Sequence, residues 1–122
     1  MSKKILVVDD SATVRQQVRM ALAQSGYDVV EAVDGVDGKE KIDQGGGIAM
    51  VICDVNMPRM NGIEMLEAVK AAGRHTHIPV VMLTTEGQPA LIARAKEAGA
   101  KGWIVKPFKA NLLVAAVQKL TA

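Results

Sequence analysis

The sequence predicts a doubly wound α/β domain of five parallel strands alternating with five helices, and three observations predict it. Five short apolar runs are too continuous for strands with one wet face, so they read as strands buried on both sides. Segments with helical periodicity lie between the runs and after the last one. Strict alternation of the two implies right-handed crossovers and a sheet covered on both faces.

The first run, Ile5 to Val8, stops at Asp9 and Asp10. The helix after it carries Val14, Val18 and Leu22 on one face, with Ser11 placed to cap its start and Gly26 just beyond its end. Val29 to Val30 is the second run. The next helix, about Val36 to Gln44, has the least distinct periodicity, and Gly45, Gly46 and Gly47 make a flexible turn after it. Met50 to Cys53 is the third run, followed by a helix that begins at Asn61, with Glu64 as capping-box partner, and continues through Met65, Leu66 and Val69. Val80 to Leu83 is the fourth run, and its helix spans from near Pro89, tolerated in a first turn, to Ala98, where Gly99 stops it. After the fifth run, Ile104 to Val105, the last helix carries Leu112, Leu113, Ala116, Val117 and Leu120.

A length of 122 residues fits one domain, 1–122, with a core large enough to need no disulfide or metal staple. The lone Cys53 cannot pair within the chain, which suits a reducing cytoplasm. Lys3 and Lys4 lead into an apolar stretch too short for a signal-peptide core or a membrane span. A formal charge of +2 spread over 15 basic and 13 acidic residues forms no basic block, so neither nucleic acid nor membrane is an expected partner. A monomer is expected. His75 and His77 sit in a polar turn without matching ligands nearby and receive no role.

Each informative polar residue stands where an apolar run stops at its carboxyl end: Asp9 and Asp10, Asp54, Thr84 and Thr85, and Lys106. Ligands of open α/β sheets bind outside those ends, so the linear pattern predicts one convergent site. Two unit charges about 4 Å apart cost about 4 kcal/mol at an effective dielectric near 20, and three carboxylates in one crevice therefore call for a cation. All-oxygen ligands with room for water suit Mg²⁺ better than a dedicated calcium cage. A hydroxyl, an ammonium and a metal around one crevice suit a phosphoryl group, with a carboxylate as its acceptor. This reasoning does not by itself say which Asp is the nucleophile. Cys53, on a buried strand beside acids, reads as core filling, and Met57 and Met60 read as loop packing.

The segments ILVVDDSATVRQ, VICDVNMPRMNG, VVMLTTE and GWIVKPF, in that order, resemble the response-regulator receiver family over about residues 4 to 120. The intervals from Asp54 to Thr84 and to Lys106 also match the family's habit. The resemblance implies a flavodoxin-like sheet of order 2-1-3-4-5. It implies Asp54 as the phosphoacceptor, with Asp10, Asp54 and the backbone carbonyl of Asn56 as direct Mg²⁺ ligands and Asp9 acting through a bound water. Lys106 would contact the phosphoryl oxygens, ahead of a cis bond to Pro107, and Thr84 would turn its hydroxyl toward the phosphoryl group. Trp103, where many relatives carry Tyr or Phe, takes the place of the second switch residue. Asn56 and Glu86 would tune the lifetime of the acyl phosphate, in a pairing that resembles chemotaxis receivers.

The implied function is a two-component switch rather than an enzyme, phosphorylating itself from small donors and dephosphorylating itself. A histidine kinase of the chemotaxis type would be the donor and a flagellar motor switch or other output protein the target, with room for a phosphatase. A phosphorelay shuttle and a regulator of pilus-driven motility are the nearest alternatives. An aspartyl-phosphate enzyme of the haloacid dehalogenase group would need a D-x-D motif after the first strand, where Asp9-Asp10-Ser11 stands. A flavodoxin-like FMN carrier would need a hydroxyl-rich and glycine-rich phosphate loop there, and two carboxylates would repel that phosphate.

Overall fold

The computed structural model describes residues 3–44, 46–85 and 87–122. Five strands alternate with five helices: β1 (Lys4–Val8), α1 (Ala12–Ala23), β2 (Asp28–Ala32), α2 (Gly35–Asp43), β3 (Ile48–Cys53), α3 (Gly62–Ala72), β4 (Val80–Thr84), α4 (Pro89–Glu97), β5 (Gly102–Val105) and α5 (Ala110–Thr121). All strand pairs are parallel and the order across the sheet is β2-β1-β3-β4-β5.

The period of two along each strand builds two cores. Ile5, Val7, Ile52, Val81 and Leu83 face α1 and α5, where Val18, Leu22, Leu113 and Val117 are buried against them. Leu6, Val8, Val51, Cys53 and Met82 face the other way, onto Ile42 of α2, Leu66 and Val69 of α3, and Ala95 of α4. Two-sided burial accounts for the unbroken apolar runs of β1, β3 and β4. β2 and β5 depart from the expectation: both lie at sheet edges and are only half-buried, and β2 includes Asp28 and Glu31, so its apolar run marked less than half of it. An edge strand pairs on one side only, which leaves its other side free for charged residues.

Local signals set the helix starts. The Ser11 hydroxyl accepts from the Val14 N–H at 3.3 Å at the head of α1. Asn61 and Glu64 exchange side-chain and backbone hydrogen bonds at 2.8 and 2.9 Å, completing the capping box of α3. Gly99 adopts φ 105 just past α4, as a helix stop requires. Of the expected glycine turn, Gly45 lies outside the described residues, and Gly46 and Gly47 lead into β3. Among the described residues, no helix is long and apolar enough to cross a membrane.

Candidate functional site

Parallel strands place all their carboxyl ends on one edge of the sheet, and the neighbouring central strands β1 and β3 end in Asp9 and Asp54. The Asp54 N–H donates to the Val8 carbonyl at 2.9 Å, which extends the β1–β3 ladder and brings the two acids together. α3 starts directly against this turn: a Cβ on Gly62 would stand 2.0 Å from the Asp54 carbonyl oxygen, so only glycine fits.

Lys106, just past β5, completes the contact across the sheet. Its ammonium donates to Asp9 Oδ2 at 2.8 Å and to Asp54 Oδ2 at 3.2 Å. Asp9 is buried, and its other oxygen accepts from the Ser11 N–H at 2.9 Å. Asp54 Oδ1 accepts from the Val55 N–H at 2.7 Å. Burial pushes the Asp9 carboxyl above its ordinary range; the Lys106 and Ser11 hydrogen bonds and the Lys106 charge offset this in part, and the Asp54 charge adds to it. Burial alone would lower the Lys106 ammonium, but hydrogen bonding to Asp9 and the charges of both acids outweigh it, and the net shift is upward. So Lys106 stays charged and one cation serves two anions.

Asp10 is exposed and adds the third carboxylate; one ligand oxygen from each of Asp9, Asp10 and Asp54 lies within 4.8 Å of the others. Among the described residues this is the single such group of three. An all-oxygen set open to solvent on the Asp10 side fits a hard divalent cation that keeps some of its water. His75, half-buried, and His77, exposed, lie in the turn before β4 with ring centroids 6.4 Å apart and are not members of this group.

Of the other expected residues, Thr84 is fully buried at the end of β4, and its carbonyl accepts from the Lys106 N–H at 2.9 Å. Its register partner is Val105, while Met82 pairs with Trp103, so Thr84 and Trp103 lie on the same face of neighbouring strands. Trp103 is half-buried against the core on the α3–α4 side. Asn56 is exposed in the loop after Asp54, the Lys106–Pro107 bond is cis, and Glu86 lies outside the described residues. Cys53 is fully buried, and its thiol is pushed well up by burial and then by the charges of Asp54 and Asp9, which leaves it inert. Met57 and Met60 pack against the same core as expected.

Three arginines without any linear signal support the site from the β2 side. Arg15 of α1 donates from its guanidinium to the Asp9 carbonyl at 2.6 Å and to Glu31 of β2 at 3.0 Å, and Arg19 grips the same Glu31 at 2.8 Å. Arg59, in the loop after Asp54, pairs with Asp34. Such pairs join residues far apart in sequence, and only the sheet order brings them together.

The chain matches the family described as the response regulator receiver domain over residues 5–118. It is 44% identical over 111 residues to the chemotaxis protein CheY1 of Helicobacter pylori, covering 90% of each chain. It is 40% identical over 111 residues to the chemotaxis protein CheY homolog of Campylobacter jejuni, covering 90% of this chain and 85% of that one. The solved structure of Vibrio cholerae chemotaxis protein CheY4 superposes with a TM-score of 0.90 at 39% identity, over 98% of this chain and 99% of that one.

Proposed function

The chain belongs to the response regulator receiver family, and from that premise we propose that it is a two-component switch of the chemotaxis type, acting as a single receiver unit phosphorylated on Asp54. The observation that carries this reading is the Lys106 ammonium held between Asp9 and Asp54 beside a third carboxylate. A lysine so placed neutralises charge that a bare triad of acids could not tolerate, and it stands where phosphoryl oxygens would gather.

Asp10, Asp54 and the Asn56 carbonyl would hold Mg²⁺, and Asp9, with one oxygen engaged by Ser11 and the other by Lys106, would act on it through water. When bound, Mg²⁺ supplies positive charge against the phosphoryl oxygens and the acids. The free oxygen electrons of Asp54 attack phosphorus as the bond to the donor breaks, and the leaving group, a histidine ring nitrogen of a kinase or acetate from acetyl phosphate, departs with that bond's electrons. Lys106 stays protonated and follows the charge from carboxylate to phosphoryl group. Thr84 turns its hydroxyl toward the new anion, and Trp103, on the same face one strand away, repacks with it. Asn56 and Glu86 would govern how readily water reaches the acyl phosphate. Output passes to a motor switch or other partner protein by contact.

Intact-mass spectrometry with acetyl phosphate tests the reading. Wild type gains one phosphoryl group only with Mg²⁺ present, and Asp54→Asn gains none. Equal uptake by the two proteins would overturn the assignment of Asp54.

A further inference from the structure

The loop between β3 and α3, residues 54–61, carries both Asp54 and Asn56, and it is tied to the sheet where it starts and to the head of α3 where it ends. The Asp54 N–H donates to the Val8 carbonyl at 2.9 Å and the Gly62 N–H to the Val55 carbonyl at 3.0 Å. Its outer part meets the loop between β2 and α2 instead. Arg59 Nε donates to Asp34 Oδ2 at 2.6 Å and Arg59 Nη2 to Asp34 Oδ1 at 3.1 Å, a two-pronged pairing of fork and carboxylate. The Gly35 N–H donates to the Met60 carbonyl at 2.9 Å beside it.

Three features show that this join is built to hold one position. Asp34 is buried and cannot swing away, because Oδ1 also accepts the Asp37 N–H at 2.9 Å as the cap of α2. Arg59 sits at φ 63, a left-handed backbone that a residue with a Cβ keeps only where its surroundings over-determine it. A Cβ on Gly35 would stand 2.4 Å from the Met60 carbonyl oxygen, so the two loops touch only because residue 35 is glycine.

We infer that Arg59 is a positioning residue of the phosphorylation site: strapped to Asp34, it fixes the path of the loop and thereby the direction of the Asn56 carbonyl toward the metal. The inference rests on the reading of Asp54 and Asn56 given above. β2 then has a task in the chemistry although none of its residues joins the acidic group. Glu31 and Asp34, from this edge strand and the loop after it, anchor Arg15 against the Asp9 carbonyl and Arg59 over the Asn56 loop.

The test compares wild type with Arg59→Gly, Arg59→Lys and Asp34→Asn in the full chain. Glycine removes the strap while favouring the left-handed backbone, so a merely conformational role for residue 59 would survive it. Asparagine at position 34 still caps α2 but gives up the charged fork. Calorimetric titration with Mg²⁺ should show affinity weakened about 10-fold in Arg59→Gly and Asp34→Asn, the scale seen when groups behind metal ligands are lost. Arg59→Lys, which keeps charge without the fork, should fall between. Amides 55–60 should also exchange faster in the metal-free variants, with the global unfolding midpoint little changed. Wild-type Mg²⁺ affinity and wild-type amide protection in Arg59→Gly would overturn the strap alone. Absence of Mg²⁺ binding by wild type would overturn the reading of the site itself, and the strap with it.

Discussion

α3 and α4 follow the two strands that bring Asp54 and Thr84 to the site, and they are held very differently. α3 opens with a complete capping box, presses Gly62 onto the Asp54 carbonyl, and buries Gly62, Ile63, Met65, Leu66 and Val69. α4 opens at Gln88 with no side-chain cap, and Ala95 is its one buried residue. Its ties to α3 are exposed: Arg94 to Glu67 at 2.7 Å and the Lys70 ammonium to the Glu97 carbonyl at 2.8 Å. Exposed pairs of this kind add little to stability, because water and salt screen them. The difference teaches how one small domain can do chemistry and still move. The flank that holds Asp54, the proposed phosphoacceptor, is fixed by packing and arginine clamps, and the flank beyond Thr84 costs little to rearrange.

The sharpest way to break this contrast is to add one methyl group to each flank. Gly62→Ala drives a Cβ into a backbone oxygen and should cost about 3 kcal/mol in urea unfolding. Gly87→Ala, with nothing within 4 Å of the added carbon, should stay within about 0.5 kcal/mol. Equal costs would mean that the two flanks are equally packed.

Lys106→Ala comes next, because it leaves Asp9 and Asp54 facing each other without a cation. A loss of about 1–3 kcal/mol is expected in metal-free melts, with most of it recovered at saturating Mg²⁺. A loss that Mg²⁺ leaves untouched would assign Lys106 to packing instead.

Capping the loose helix sharpens the comparison from the other side. Gln88 has the extended backbone of a cap without an oxygen placed to bond, so Gln88→Asp should add about 0.5–1 kcal/mol of stability. It should also shrink the change in Trp103 emission caused by beryllofluoride with Mg²⁺, as Thr84→Ala should. An unchanged emission response in a stabilised Gln88→Asp protein would free α4 from the switch.

The smallest effect is on pH dependence. Hydrogen bonding from Arg59 holds the Asp34 carboxyl below its ordinary 3.8, so the contribution of the strap is complete above that pH and is lost as pH falls through the lower native value. Amide exchange of residues 55–60, corrected for intrinsic rate, should show that acid step in wild type and lack it in Asp34→Asn. The same step in both proteins would place its cause elsewhere.

Much of the site was legible in the linear sequence for a geometric reason. Once the apolar runs are read as parallel strands, whatever follows each run must lie on one edge, and Asp9, Asp54, Thr84 and Lys106 follow from that alone. The extent of β2 was not legible, because an edge strand tolerates Asp28 and Glu31 and its apolar run is cut short. Arg15 and Arg59 were not legible either. Each looks like an ordinary surface cation until the order β2-β1-β3 places Glu31 and Asp34 beside it. The strand ends mark the candidate site, and tertiary pairing supplies the residues that hold it still.

Amide exchange across the whole chain, with Mg²⁺ alone and with Mg²⁺ plus beryllofluoride, tests the central claim most directly. Binding of the phosphoryl mimic should change protection in β4, α4 and β5, including Thr84 and Trp103, while residues 55–61 and the first turn of α3 keep the protection they have with Mg²⁺. A response concentrated in residues 55–61, with α4 and Trp103 unaffected, would contradict the division into a fixed flank and a moving one.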